Sequence, residues 1–370
     1  MSAGPPNPMA AARSSSRARR VGMLGILFSV CSRRARPHVT VVTIHRDPRG
    51  GPDAVRLRSV LNMTTAPLAS TPPAAPTSPA SSPGSPRLGV GPLGIAVRVV
   101  VAIGILLSAN FIAGLLPAVL LLIPGTTEIV EGSSPWVFAL GFVLQAIVLC
   151  IVVLCVWLWM RWVERAPIRA AGWRWGQRSI LWLLLGVAIA AGSAFAVIAL
   201  LPATGPVLDD SQLPGGEATP LIIALLIAYY VGLAFVQQGI PEELLFRGML
   251  LWRLRERPVL AVIVTTLAFT VIHLVSSGGQ QSVGQQVIYL ALPFGFALLA
   301  VGLLLWTGSL WTAVGVHGGF HVGNYLAVAF LHQVEPVTSW LVIGGVQAAL
   351  GLALVVTALR RGKRILHGES

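Results

Sequence analysis

Long runs of apolar residues dominate the chain from about residue 94 onward, and short stretches with charged or turn-forming residues separate them. A helix that crosses a bilayer needs about 20 predominantly apolar residues. The pattern therefore predicts an all-α, polytopic membrane protein with about eight transmembrane helices. The predicted spans are 95–123, 136–160, 179–202, 220–246, 258–276, 286–306, 309–332 and 338–359.

The composition agrees with this fold class. Hydrophobic residues make up 55% of the chain, charged residues make up 11%, and the mean hydropathy is +0.79. Soluble domains carry roughly 25% charged residues. A water-soluble enzyme is therefore excluded as an interpretation.

Residues 1–93 differ from the remainder of the chain. They are rich in Arg, Ala, Pro and Ser, and residues 64–86 are of low complexity. Such a composition cannot bury a hydrophobic core, so a disordered N-terminal extension is predicted. A second hypothesis is that residues 1–62 are an over-extended gene start and that translation begins at Met63. Full function after expression from Met63 would support it.

The net charge of +13 resembles that of a nucleic-acid-binding protein, but its distribution argues against that partner. Twelve arginines against Asp47 and Asp53 give residues 1–93 a charge of +10. The remaining chain carries only about +3, is nearly balanced in charge and is mostly apolar. We expect no nucleic-acid partner.

Basic residues lie in alternating loops between the predicted spans. By the positive-inside rule these loops face the cytoplasm. This assignment places both termini in the cytoplasm of a multi-pass protein of the plasma membrane, which requires an even number of spans. The basic residues are Arg161, Arg165, Arg169, Arg174, Arg178, Arg253, Arg255, Arg257, Arg360, Arg361, Lys363 and Arg364, whereas the other two large loops carry Glu128, Glu131, Asp209, Asp210 and Glu217.

Ionisable side chains interrupt three of the predicted spans. At bilayer depth such groups cost several kcal/mol unless they face a partner or a cavity, so they mark a functional site by default. The helical rise places these groups roughly 12 to 26 Å from the basic loops, at levels that allow them to converge. They are Glu242, Glu243 and Arg247 in the fourth span, His273 in the fifth, and His317 and His321 in the seventh.

Helical spacing suggests a division of roles within this set. Glu243 and Arg247 have the i,i+4 spacing of an ion pair on one face, which leaves Glu242 free as a general base. His317 and His321 have the same spacing, which also suits two metal ligands. From these residues alone, a structural clasp and a proton-coupled transporter stay open as alternatives.

The order Glu-Glu-x-x-x-Arg, Phe-x-x-x-His and His-x-x-x-polar resembles the CPBP family of intramembrane proteases. This family, also called the CAAX protease and bacteriocin-processing (Abi) family, includes the type II CAAX prenyl endopeptidases. The resemblance covers residues 220–332 and implies a four-helix catalytic core there. Residues 94–202 would then form accessory helices 1–3, and residues 338–370 the last helix with a basic cytoplasmic tail.

The resemblance also implies roles for individual residues. Glu242 would activate a water molecule with help from His273, and His317 would stabilise the oxyanion. The supporting residues would be Glu243 and Arg247 as a structural pair, and Phe269 packed beside the site.

The last motif departs from the family pattern. The family usually has Asn or Asp four residues after the histidine, whereas this chain has His321 there and its nearest amide at Asn324. The departure leaves oxyanion stabilisation to His321 or Asn324. It also keeps open a Zn²⁺ site with Glu242, His273, His317 and His321 as ligands.

These observations predict an intramembrane endopeptidase in the lipid bilayer that hydrolyses a membrane-associated peptide or protein. The family has been described both as metalloproteases and as glutamate-type proteases, and the sequence leaves both mechanisms open. A non-catalytic immunity or scaffold protein of the same fold stays open as the main alternative. A proton-coupled transporter is disfavoured because the two halves of the chain show no self-similarity.

Overall fold

A computed structural model of the chain describes residues 88–131, 136–205, 219–276 and 278–363. The predictions made for the following positions therefore lie outside the described residues: residues 1–87 with Met63, Asp209, Asp210, Glu217 and residues 364–370.

The described part of the chain is nearly all-α, as predicted. Its eight long helices are α1 (Pro92–Leu120), α2 (Trp136–Trp162), α3 (Ser179–Leu200), α4 (Pro220–Leu254), α5 (Pro258–Val275), α6 (Val283–Thr307), α7 (Leu310–Phe330) and α8 (Pro336–Arg360). Two short helices, Thr127–Val130 and Ile168–Ala171, lie in the loops. The two short antiparallel strands β1 (Ala203–Gly205) and β2 (Gln333–Val334) pair with each other, and the sequence pattern did not predict them.

Seven helices of the described residues are long and apolar enough to cross a membrane, and α7 is not among them. The predicted seventh span is nevertheless helical, so the difference lies in its composition. Four glycines, two histidines and an asparagine lower its hydropathy. All residues from Thr312 to Phe320 are buried, so the first half of α7 faces neighbouring helices rather than lipid. A helix enclosed by protein tolerates polar and small residues that a lipid-facing helix does not.

Helix α4 corrects the predicted boundary of the fourth span. The prediction ended at residue 246, but the helix continues to Leu254 and contains two π-helical stretches, Leu233–Gly239 and Leu244–Leu250. Between them lies the short α-helical segment Ile240–Glu243. Pro241 has no backbone N–H, and a local change of helical register accommodates such a residue. The two acidic residues thus lie on the only α-helical turn between two π stretches, a distortion common at functional sites.

Glycines fix the orientation of α7. A Cβ atom on Gly315 would lie 2.1 Å from the Leu183 carbonyl oxygen of α3, and one on Gly319 would lie 2.6 Å from Val187 Cα. Only glycine permits this approach of the two backbones. Because successive residues turn by 100°, His317 projects away from α3 and towards α4.

A buried ion pair joins α1 to the loop that follows α2. Arg98 Nε lies 2.7 Å from Glu164 Oε1, and both side chains are almost completely enclosed. Trp159 Nε1 donates to the same oxygen at 3.1 Å, and Arg253 Nε lies 3.8 Å from Oε2. This pair was not predicted, although a lone arginine in an apolar span requires a partner.

Candidate active site

Helices α4, α5, α6 and α7 bring the predicted site residues together. The Phe269 ring lies among these residues, with its centroid 4.8 Å from that of the His273 ring and 5.7 Å from that of the His317 ring. Phe296 of α6 contacts the same rings, at 5.2 Å from Phe269 and 5.1 Å from His317. Phe269 therefore lies between the two histidines, and the sequence analysis missed Phe296.

Glu243 forms hydrogen bonds with an arginine and a histidine side chain. Its Oε1 accepts from Arg247 Nη1 at 2.9 Å and from His317 Nδ1 at 3.2 Å. All three side chains are buried. The ion pair with Arg247 has the predicted spacing, whereas the contact with His317 was not predicted. Because Nδ1 of His317 is committed to Glu243, its Nε2 is the nitrogen left for chemistry.

The Arg247 guanidinium is held on three sides. Besides Glu243, it donates from Nη2 to the Ala297 carbonyl oxygen at 3.1 Å, and its Cζ lies 4.3 Å from the centre of the Phe269 ring. A desolvated cation over an aromatic face gains about 2 kcal/mol. Arg247 thus contacts Glu243, Phe269 and α6 at once, which is compatible with the structural role predicted for it.

His273 occupies the junction at which α5 tightens into a 3₁₀ turn, His273–Val275. Its Nδ1 lies 2.8 Å from the Phe269 carbonyl oxygen. A carbonyl oxygen only accepts hydrogen bonds, so Nδ1 carries the proton and Nε2 of the neutral ring carries a lone pair. This tautomer presents His273 as a proton acceptor.

Glu242 differs from Glu243 in that it makes no hydrogen bond or ion pair with any of the described residues, whereas Glu243 Oε1 is engaged by Arg247 and His317. The Oε2 of Glu242 is buried and has no hydrogen-bond partner among the described residues. The carboxylate lies within electrostatic range of His317, Glu243 and Arg247. A buried unpartnered carboxylate oxygen is costly. The Oε2 of Glu243 also lacks a partner, but the ion pair and the His317 contact hold that side chain through Oε1, so Glu242 is the member of the acidic pair that is left available for proton transfer.

His321 extends the site along α7. Its ring stacks on that of His317 with centroids 5.4 Å apart, and it lies within electrostatic range of His317 and His273. Asn324 Nδ2 instead donates to the Phe320 carbonyl oxygen of its own helix at 2.9 Å. Of the two candidates for the last polar position, His321 is therefore placed with the other histidines, and the Asn324 amide is engaged with the backbone.

The predicted metal ligands do not form a compact cluster among the described residues. Within the described residues, no group of three or more His, Cys, Asp or Glu side chains is placed to hold one metal ion. Glu243, which is not one of the predicted ligands, is engaged by Arg247 and His317, while the Nδ1 hydrogen bond of His273 leaves its Nε2 available. The possible Zn²⁺ cofactor stays a prediction, and no step below passes through it.

A comparison with protein families bears on this group of residues. Residues 219–323 match the family model described as type II CAAX prenyl endopeptidase Rce1-like. The resemblance to the CPBP family is thereby confirmed. The match contains Glu242, His273, His317 and His321 and ends just before Asn324. No curated protein matches the chain.

The seven apolar helices support a multi-pass membrane protein, and the match of residues 219–323 is to the model of a membrane protease family. The lipid bilayer is accordingly its environment. The predicted domain limits at residues 94–202, 220–332 and 338–370 stay predictions, and so do the catalytic roles of the individual residues.

Proposed function

We propose that the protein is an intramembrane endopeptidase of the CPBP type, which hydrolyses a peptide bond of a membrane-associated peptide or protein. The observation that carries the proposal is the free oxygen of Glu242, which is buried, unpartnered among the described residues and next to His317. A carboxylate in that environment is suited to take a proton from water.

The first step forms a bond between water and the substrate carbonyl. Glu242 accepts one proton of the water molecule, with the His273 Nε2 lone pair as a second acceptor that orients it. The water oxygen attacks the carbonyl carbon, and the carbonyl oxygen becomes an oxyanion. His317, held by Glu243, donates from Nε2 to that oxyanion when it carries a proton there.

The second step breaks the carbon–nitrogen bond. The tetrahedral intermediate collapses, and the leaving amine takes up the proton that Glu242 received from water. His321, stacked on His317, provides a second path for that proton. The products are a carboxylic acid and an amine, and no redox change or further reactant is needed.

The substrate class follows from the depth of the site. Glu242 lies about 18 Å along the helix axis from the end of α4 at Leu254, given the rise of 1.5 Å per residue. A polypeptide must therefore enter the bilayer or reach into it, which favours membrane-associated peptides and protein tails. Cleavage of prenylated CAAX substrates is an implication of the matched family alone. The proposed location is the plasma membrane, with both termini in the cytoplasm.

The decisive experiment uses the purified full chain in bilayer nanodiscs and a library of quenched fluorescent membrane peptides. The Glu242→Gln variant keeps the shape of the side chain but removes the base, so turnover should fall at least about 1000-fold, within the range that catalytic bases and their oriented water contribute together. Glu335→Gln, which changes an exposed carboxylate at the start of α8, is the matched control. Parent-like turnover by Glu242→Gln would end the proposal. A stably folded parent that cleaves nothing would favour the scaffold alternative.

A further inference from the structure

The C-terminal end of α5 carries carbonyl groups that the helix itself cannot satisfy. The last carbonyls of any helix lack intrahelical donors, and within a bilayer water does not replace them freely. Here these carbonyls belong to the turn that begins with His273, so their partners determine where the imidazole is held.

Gln286, in the first turns of α6, supplies the donors. Its Nε2 lies 2.9 Å from the His273 carbonyl oxygen, 3.0 Å from that of Leu274 and 3.4 Å from that of Ser276. An amide nitrogen carries two hydrogens, so one of them is shared between two acceptors. The side chain of Gln286 thus contacts three carbonyl oxygens at the end of the helix that carries His273.

Hydrogen bonds hold both the imidazole ring and the main chain of His273. The Phe269 carbonyl oxygen holds Nδ1 of the His273 ring, while Gln286 holds the His273 main chain. The Ser276 hydroxyl also donates to the His273 carbonyl oxygen at 2.8 Å. Together these contacts leave the ring little freedom to turn Nε2 away from the centre of the site.

Gln286 is not part of the hydrophobic core. Its neighbours Val283 and Val287 are 83% and 59% exposed, whereas α6 becomes enclosed only from Leu292 onward. Its loss should therefore disturb the His273 turn without unfolding the bundle. We infer that Gln286 is a positioning residue that acts on catalysis through His273. This inference rests on the proposed function.

The variant Gln286→Glu tests the inference because it keeps the shape of the side chain while replacing the donor nitrogen with an acceptor oxygen. Its matched control is Gln285→Glu, which introduces the same charge one residue away. Gln285 Oε1 only accepts, from the Gln281 main-chain N–H at 2.6 Å, and a carboxylate can do the same. The first measurement is hydrogen–deuterium exchange of the resting full chain in nanodiscs, followed for the amides of residues 270–276.

Exchange of those amides should rise at least about tenfold in Gln286→Glu and stay at the parent rate in Gln285→Glu, with the unfolding temperatures of all three proteins equal. With a peptide whose cleavage depends on Glu242, kcat should fall about 10- to 100-fold at an unchanged KM, the cost of a misplaced catalytic group. Parent-like exchange in Gln286→Glu, or equal kcat, would overturn the inference. Turnover that does not depend on Glu242 would overturn the proposed function instead, and the exchange measurement would still decide the role of Gln286.

Discussion

The buried pair of Arg98 and Glu164 permits a stability prediction that does not depend on any catalytic role. Of the five hydrogen bonds that the Arg98 guanidinium donates, two go to the Glu164 carboxylate and three to main-chain carbonyls. Removing one member of a buried ion pair costs about 3–5 kcal/mol, because a charge is left without its partner. Since three carbonyl acceptors remain, we expect Glu164→Leu to lower the free energy of unfolding by about 3 kcal/mol.

Removal of the arginine should lower the free energy of unfolding by less than removal of the carboxylate. In Arg98→Met the Glu164 carboxylate keeps the Trp159 N–H at 3.1 Å and the Arg253 guanidinium at 3.8 Å, so the expected loss is about 2 kcal/mol. The double variant removes both members of the buried pair, and Arg253, which also loses its partner Glu164, is partly exposed, so the double variant should fall within about 1 kcal/mol of the parent. These values imply a coupling of at least about 4 kcal/mol in a double-mutant cycle.

The assay is equilibrium unfolding in mixed micelles, monitored by tryptophan fluorescence, for the parent, both single variants and the double variant. Arg161→Met provides the control, because Arg161 is an exposed arginine at the end of α2 and its loss should change stability by less than about 0.5 kcal/mol. A coupling below about 0.5 kcal/mol would refute the reasoning, since the pair would then be no better than a surface ion pair.

Three further predictions concern the site. Glu243→Gln removes the charge shared by Arg247 and His317, so it should cost about 3 kcal/mol in unfolding and abolish peptide cleavage; an active variant of parent stability would contradict the shared contact. Gly315→Ala places a Cβ atom against α3, so it should lower the free energy of unfolding by about 1–3 kcal/mol and reduce kcat. Gly345→Ala, which has open space around it, should change neither quantity, and equilibrium unfolding of the two variants makes the comparison. If water is activated by carboxylate and imidazole alone, dialysis against a chelator should leave turnover unchanged, and recovery of lost turnover by added Zn²⁺ would favour the metal alternative.

The sequence predicted the helices well because their signal is local. An apolar run of sufficient length has one stable form in lipid, so the ends of the predicted spans agree with the structure to within a few residues, except in α4. The exception has a physical cause: the prediction ended the span at its charged residues, whereas Arg247 is buried and paired with Glu243 inside the helix.

The contacts between helices were less accessible from the sequence. Spacing along one helix predicts that Glu243 can reach Arg247, but the rotation of α7 about its axis decides whether His317 reaches Glu243. That rotation is set by the packing of Gly315 against α3, a long-range contact. The role of Gln286 was equally hidden, since the acceptors of its amide are main-chain carbonyls, which leave no trace in the side-chain pattern.

The composition of α7 has a consequence for how the protein is made. The helix that carries His317 and His321 is the one long helix of the described residues that lacks the hydropathy of a membrane span. A segment of that kind partitions poorly into lipid when it leaves the insertion machinery alone. Its entry must therefore be assisted by helices already in place, with the glycine face of α7 meeting α3 as it arrives. The centre of the molecule would then be the last part to be assembled, and α7 tested as an isolated span in a membrane-insertion reporter should fail to insert.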